Sequence, residues 1–164
     1  MLGLGNGISY NNSAILRIGD FYQGGIVFYL DGNGGGLTVA PTDQSSGAEW
    51  GCDGVLISGT AAAIGTGAQN TIDIEAGCTT SGTAADLCAN LTLNGYSDWF
   101  LPSKDELNEM YLTSSAMPFF YSNLYWSSTE ALTTKSWSMN FALGMIFSYA
   151  KSGSAPKVRA IRAF

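Results

Sequence analysis

Histidine is absent from this 164-residue chain. That absence removes Ser–His–Asp and Cys–His nucleophile pairs together with imidazole metal sites, so any catalysis would fall to carboxylates, Lys, Tyr or Cys. Charge is also scarce: Asp, Glu, Lys and Arg make up 12% of the residues, about half the roughly 25% of an average domain. What charge there is runs acidic, 13 against 7, for a net charge of −6. A molecule of that sign repels phosphate backbones and heavily sulfated polysaccharides, so no nucleic-acid partner is expected. No run approaches the roughly 18 apolar residues of a membrane span, and no membrane insertion is expected. The opening Met1-Leu-Gly-Leu-Gly-Asn-Gly lacks the basic and continuous apolar regions of a secretion signal. It reads as part of a larger exported protein, or as a chain exported another way, as virion components are.

Cysteine is sparse too. Cys52, Cys78 and Cys88 permit three single bridges, each leaving one thiol over. Their spacings fit no zinc pattern. The short, turn-rich Thr79-Thr-Ser-Gly between the last two favours a Cys78–Cys88 bridge; three buried thiols in a reduced protein are the alternative.

What is abundant is glycine, 21 residues, and aromatic rings, 12%, within a hydrophobic content of 46%. That is one loop-rich domain with enough length for a core. Residues 1–18 read as an entry segment or stalk junction, and 19–164 as a single domain. Gly25-Ile-Val-Phe-Tyr-Leu30 and Leu37-Thr-Val-Ala40 flank Asp31-Gly-Asn-Gly-Gly-Gly36, the pattern of a β-hairpin with a Gly-rich turn. The Asp-x-Asn-x-Gly spacing also opens calcium loops, but the bidentate Glu that closes an EF-hand loop is here Thr42. A long irregular excursion over residues 41–68 carries Trp50 and Cys52. One helix is predicted from a cap at Asn70 to Gly77, and a second from Thr83 to Asn94-Gly95. Ser103-Lys-Asp-Glu106 is a capping box, and Leu107, Met110 and Tyr111 give its helix one apolar face. The period then changes to two. Tyr125-Trp-Ser-Ser128, Ser136-Trp-Ser-Met-Asn-Phe141, Met145-Ile-Phe-Ser-Tyr149 and Lys157-Val-Arg-Ala-Ile-Arg162 read as strands of one C-terminal antiparallel meander. The fold class is α+β: an N-terminal hairpin, two or three short central helices and a terminal sheet.

Several blocks stand together in a familiar order. They are Gly24-Gly-Ile-Val-Phe-Tyr-Leu-Asp31, Ala40-Pro-Thr-Asp-Gln44, Ala48-Glu-Trp-Gly51 and Ile64-Gly-Thr-Gly with Asn70-Thr71. Gly95-Tyr-Ser-Asp-Trp-Phe-Leu-Pro-Ser-Lys-Asp-Glu-Leu107, Tyr125-Trp-Ser-Ser-Thr-Glu130 and Val158-Arg-Ala-Ile-Arg162 complete the set. Over about residues 18–164 the chain resembles the Lcl C-terminal domain family of bacterial surface and phage-fibre proteins. The resemblance implies a C-type-lectin-like fold, a trimer at the end of a stalk or fibre, and a role in adhesion or glycan binding. It departs from the pattern in two ways. The basic surface through which the adhesin that named the family takes sulfated glycans is missing in bulk. The Glu-Pro-Asn and Gln-Pro-Asp triplets of calcium lectins are absent as well, so no cofactor is expected and a calcium requirement has no lectin triplet behind it.

Candidate site residues follow from chemistry and from where lectin-like folds hold ligands. Asp105, Glu106 and Glu109 offer carboxylates for glycoside hydrolysis, but Glu106 is engaged as a cap and the other two read as a solvated helix face. Glu130, where a strand meets a loop, is the better acid. Trp99 and Trp126 read as core, and Trp137 as inward with Met139 and Phe141. The opposite, polar face then presents Ser136, Ser138 and Asn140, joined by Tyr149, Lys151 and Arg159. With Glu130, these are the expected ligand-binding residues. Four of the seven cations, Lys151, Lys157, Arg159 and Arg162, fall in the last fourteen residues, a strip suited to an anionic sugar or to an acidic neighbouring subunit. Asn90-Leu91-Thr92 reads only as a chance glycosylation sequon. The expectation is a non-catalytic, extracellular adhesion module, on a cell surface or virion, for a glycan or cell-surface receptor. The alternatives are a structural trimerising or decorating cap and, behind that, a carboxylate-based glycoside hydrolase.

Overall fold

The computed structural model describes residues 15–117 and 123–164; most of the entry segment expected over residues 1–18 therefore lies outside the described residues. Among the described residues the architecture is α+β, with three α-helices and two antiparallel sheets. In the first sheet β1 (Phe21–Tyr22), β2 (Gly25–Leu30) and β3 (Gly36–Val39) form the hairpin, and β7 (Ile161–Ala163) joins it in the order β1-β2-β3-β7. The second sheet is β4 (Leu124–Leu132), β5 (Lys135–Asn140) and β6 (Met145–Ala150). Between them in sequence lie α1 (Gly67–Gly77), α2 (Ala84–Ala89) and α3 (Lys104–Leu112).

The hairpin turn is closed by its own aspartate: the Asp31 carboxylate accepts from Asn33 N at 2.7 Å and Gly35 N at 2.9 Å. Such a side-chain turn is why Asp and Gly concentrate there. The α3 capping box is present in both directions, Ser103 Oγ accepting from Glu106 N and the Glu106 carboxylate from Ser103 N. The other two helices differ from expectation. α1 begins at Gly67, one turn early, because the Asn70 side chain does not cap it. It reaches instead to both backbone groups of Ala61, at 2.8 and 2.7 Å, and to Ser128 Oγ at 3.0 Å. α2 is capped by Thr83 but stops at Ala89.

The last expected meander strand also behaves differently. Lys157 bridges to β4 in parallel sense, and the chain then leaves that sheet to pair with β3, Leu37 opposite Ala163 and Val39 opposite Ile161. Every residue from Val158 to Arg162 is buried, as suits a segment running between two layers and not along an edge. Two hydrophobic clusters result. One gathers Trp50, Trp99 and Trp126 with Ile74, Leu101 and Val158; the other gathers Phe28, Leu107, Met110, Tyr125, Met139 and Ile161. The long excursion is tied to β4 reciprocally: Trp50 Nε1 donates to Ser127 O at 2.7 Å, and Trp126 Nε1 donates to Ala48 O at 2.8 Å.

The disulfide joins Cys52 to Cys78, with Cα atoms 5.5 Å apart. This corrects the Cys78–Cys88 expectation. Cys88 is a free thiol, fully buried in the tryptophan cluster, where its apolar surroundings push its pKa up. The excursion loops back to set Cys52 beside the C-terminal end of α1, which a reading by sequence separation misses.

Candidate functional site

The polar sheet face expected to meet a ligand is turned inward. The excursion covers one face of the β4-β5-β6 sheet through Trp50, and α3 packs against β4 and β5. In β4 five successive residues, Tyr125 to Thr129, are buried, so along that strand alternation no longer separates inside from outside. Ser136 Oγ donates to Thr129 O at 2.7 Å and Ser138 Oγ to Phe147 O at 3.1 Å, both side chains being buried. Trp137, expected inward, is instead half-exposed, with the Lys104 ammonium 5.3 Å from its ring. Asn140 accepts from Ala142 N at 2.8 Å and Leu143 N at 3.2 Å and so shapes the β5–β6 turn. Tyr149 sets its ring edge-on to Trp126 at 5.8 Å.

Glu130 and Lys151 form a buried ion pair. The Glu130 carboxylate also accepts from Ile57 N at 3.1 Å, and Lys151 Nζ donates to Val55 O at 2.7 Å. Neither end is offered to solvent. Glu106 is buried likewise: it accepts from Gly65 N at 2.8 Å and Ser103 N at 2.6 Å. Burial raises its pKa, against the opposing pull of these backbone donors.

The C-terminal cations are each paired with an acid of the same chain. Lys151 takes Glu130, Arg162 takes Asp98, and Lys157 and Arg159 share Asp43. This last cluster has an open side. Lys157 Nζ lies 3.0 Å from Asp43 Oδ2, and Arg159 Nη2 and Nε lie 2.6 and 2.7 Å from Oδ1. Arg159 Nη1 donates to Ala40 O at 2.8 Å, fixing the guanidinium from behind. Gln44 is held at both ends of its amide, accepting from Ala160 N at 2.5 Å and donating to Thr42 O at 2.7 Å. Beneath, the Tyr125 phenol is pushed up to about 12, by burial first and then by the Asp43 charge, while Arg159 pulls it down.

Asp43 and Gln44 face the end of α2 across a cleft of about 380 Å³. On that side Asp86 accepts from Gly82 N at 2.7 Å and from Asn90 Nδ2 at 2.8 Å. Asn90 and Thr92 are exposed at the rim, and Leu87, Leu91 and Leu93 supply the apolar part of the wall. Positioned carboxylates, a primary amide and a hydroxyl beside an aliphatic wall suit a ligand rich in hydroxyl groups, whose O–H groups both donate and accept. Among the seven expected ligand residues only Arg159 reaches this cleft, as the support of Asp43. The signals for the rest were present: Pro41-Thr-Asp-Gln44 belongs to one of the motif blocks, and a cation pair in a buried strand requires an acid.

Comparison with known proteins adds a family. The model of the Lcl C-terminal domain matches residues 40–162, while no curated protein matches the chain. The match leaves out the block at Gly24–Asp31 but takes in Asp43, Asn90, Thr92 and Arg159. Covering about three quarters of the sequence, it shows that the chain belongs to the Lcl C-terminal domain family, a family of surface- and adhesion-related domains.

Proposed function

We propose that this chain is a non-catalytic recognition domain of an extracellular surface protein or phage fibre, built on a C-type-lectin-like frame. It binds a neutral glycan in the cleft between Asp43-Gln44 and Asn90–Thr92. The single observation that carries this reading is the Asp43 carboxylate, locked by Arg159 and Lys157 beside the exposed Asn90 and Thr92. A neutral sugar is favoured over a sulfated one because Lys151, Lys157, Arg159 and Arg162 are all paired with acids of the same chain. Recognition proceeds without calcium, through direct hydrogen bonds, and without turnover.

A glycan array probed with the wild-type chain in chelator tests this. Selective binding to neutral glycans is expected, weakened about tenfold by Asn90→Ala or Thr92→Ala, the effect of losing one or two hydrogen bonds. Binding that both variants leave intact, or exclusive binding of sulfated glycans, would remove the cleft from the account. Release of cleaved sugar would remove its non-catalytic character. A second reading, a trimerising cap, draws on the exposed Leu143 and Met145 where β5 turns into β6. It requires a trimer mass at micromolar concentration and no glycan binding.

A further inference from the structure

On the other side of α2 a second cleft, of about 520 Å³, opens between α1 and the Asp98–Phe100 segment. Its walls are chiefly apolar. Ile72, 60% exposed on α1, faces it together with the edges of Trp99 and Phe100. Two carboxylates interrupt the apolar lining, and their situations differ. Asp98 is paired with Arg162, whose guanidinium also lies 4.0 Å from the Tyr96 ring. Glu75 has no such partner. It takes part in no ion pair among the described residues, and its Oε1 is buried without a hydrogen-bond partner.

A buried carboxylate oxygen left unmatched is costly. The surroundings compound this: burial first, and then the charge of Asp86, make Glu75 harder to ionise. Among the described residues none lining the cleft is cationic. A neutral apolar ligand would cover the walls and offer the part of the Glu75 carboxylate that lines the cleft neither charge nor a donor. An anion would meet Glu75 and Asp98, the two carboxylates of the lining. A quaternary ammonium would supply charge but no N–H. The group that answers charge, hydrogen bond and apolar wall at once is an ammonium on a short aliphatic chain, and the net charge of −6 draws cations toward the surface.

We infer that this cleft binds a primary alkylammonium group, whose N–H donates to Glu75 while its aliphatic chain lies on Ile72 and the edges of Trp99 and Phe100. Ile72 and Glu75 stand three residues apart on α1, so one helix face carries both the apolar and the acidic contact. The site is separate from the glycan cleft and stands whether or not that cleft binds sugar.

The test is a titration of the full chain, followed by backbone amide shifts, with n-pentylamine, n-pentanol and acetyl-Gly-Lys-Gly-amide. Pentylamine is expected to give saturable shifts at residues 72, 75 and 99. Pentanol, Glu75→Gln and Ile72→Ser should each weaken binding about tenfold or more, the loss of a charge-assisted bond or of an apolar contact. Both substituted positions are at least partly exposed, and a native-like amide spectrum verifies that each variant is folded. Tighter binding of the peptide assigns the site to a lysine side chain of a partner protein, and binding of pentylamine alone assigns it to a free amine. The inference is overturned if neither amine binds, if pentanol binds equally well, or if Glu75→Gln binds as the wild type does.

Discussion

Lys151 has no solvent exposure, yet it carries a formal charge. Its ammonium sits between the Glu130 carboxylate and Val55 O, 4.7 Å from the centre of the Trp50 ring. Removing one partner of a buried pair strands the other, which typically costs about 3–5 kcal/mol. Lys151→Met is expected to lose that much in urea denaturation. Lys151→Met with Glu130→Gln, which keeps an acceptor for Ile57 N, should recover most of the loss. If the single variant is as stable as the wild type, the pair is not buried in solution. The sequence shows Lys151 as one of several cations near the C-terminus. Its burial depends on which strand crosses which loop, and Glu130 stands 21 positions away in the sheet. The aromatic residues were easier to read: Trp99 and Trp126 are core residues, as their motif blocks implied.

Among the elements, α3 is the one whose start was most legible, because its capping box is local chemistry. Ser103 Oγ accepts from Glu106 N at 3.3 Å and donates to Ala63 O at 2.9 Å, so the cap also anchors the excursion. Ser103→Ala should therefore cost about 1–2 kcal/mol, the upper part of the usual cap range, measured by thermal or urea unfolding. An unchanged midpoint would show that the cap contributes nothing. Gly67 shows what local reading leaves out. A Cβ there would run into the Glu106 carboxylate and lie 2.9 Å from both Leu101 O and Ser103 N, so the first residue of α1 is set by the start of α3. Asn70 was read as a cap for the same reason that Ser136 and Ser138 were read as exposed. Each has the right chemistry for a local or solvent role, and each is claimed by a distant part of the chain. Period-two strands gave the β4-β5-β6 sheet its existence and approximate bounds, but its inner side carries Ser136 and Ser138 while Trp137 stands half-exposed, so hydropathy points to the wrong face.

For the whole molecule, the Cys52–Cys78 bridge closes a loop of 26 residues around the excursion. Loop entropy assigns such a bridge about 3.5 kcal/mol. Reduction should lower stability by about that amount in urea, and a fall of under 1 kcal/mol would show that the excursion holds itself in place. Thiol titration should find one group per chain in denaturant and none in the native state, where Cys88 is buried; a reactive native thiol would contradict the core. The class α+β, the hairpin and the central helices were legible in the sequence. The destination of the final strand was not, since its residues suit either sheet by local pattern and its partners, β3, Phe100, Asp43 and Asp98, are all distant in sequence. That strand has a consequence for biosynthesis. β3 acquires its second neighbour only when Ala163 arrives opposite Leu37, and the same segment, through Lys157, fastens β4. During translation both sheets wait for it. A ribosome-bound chain stopped before residue 157 would display Leu37 and Val39 on an open strand edge, making it a client for chaperones until β7 emerges.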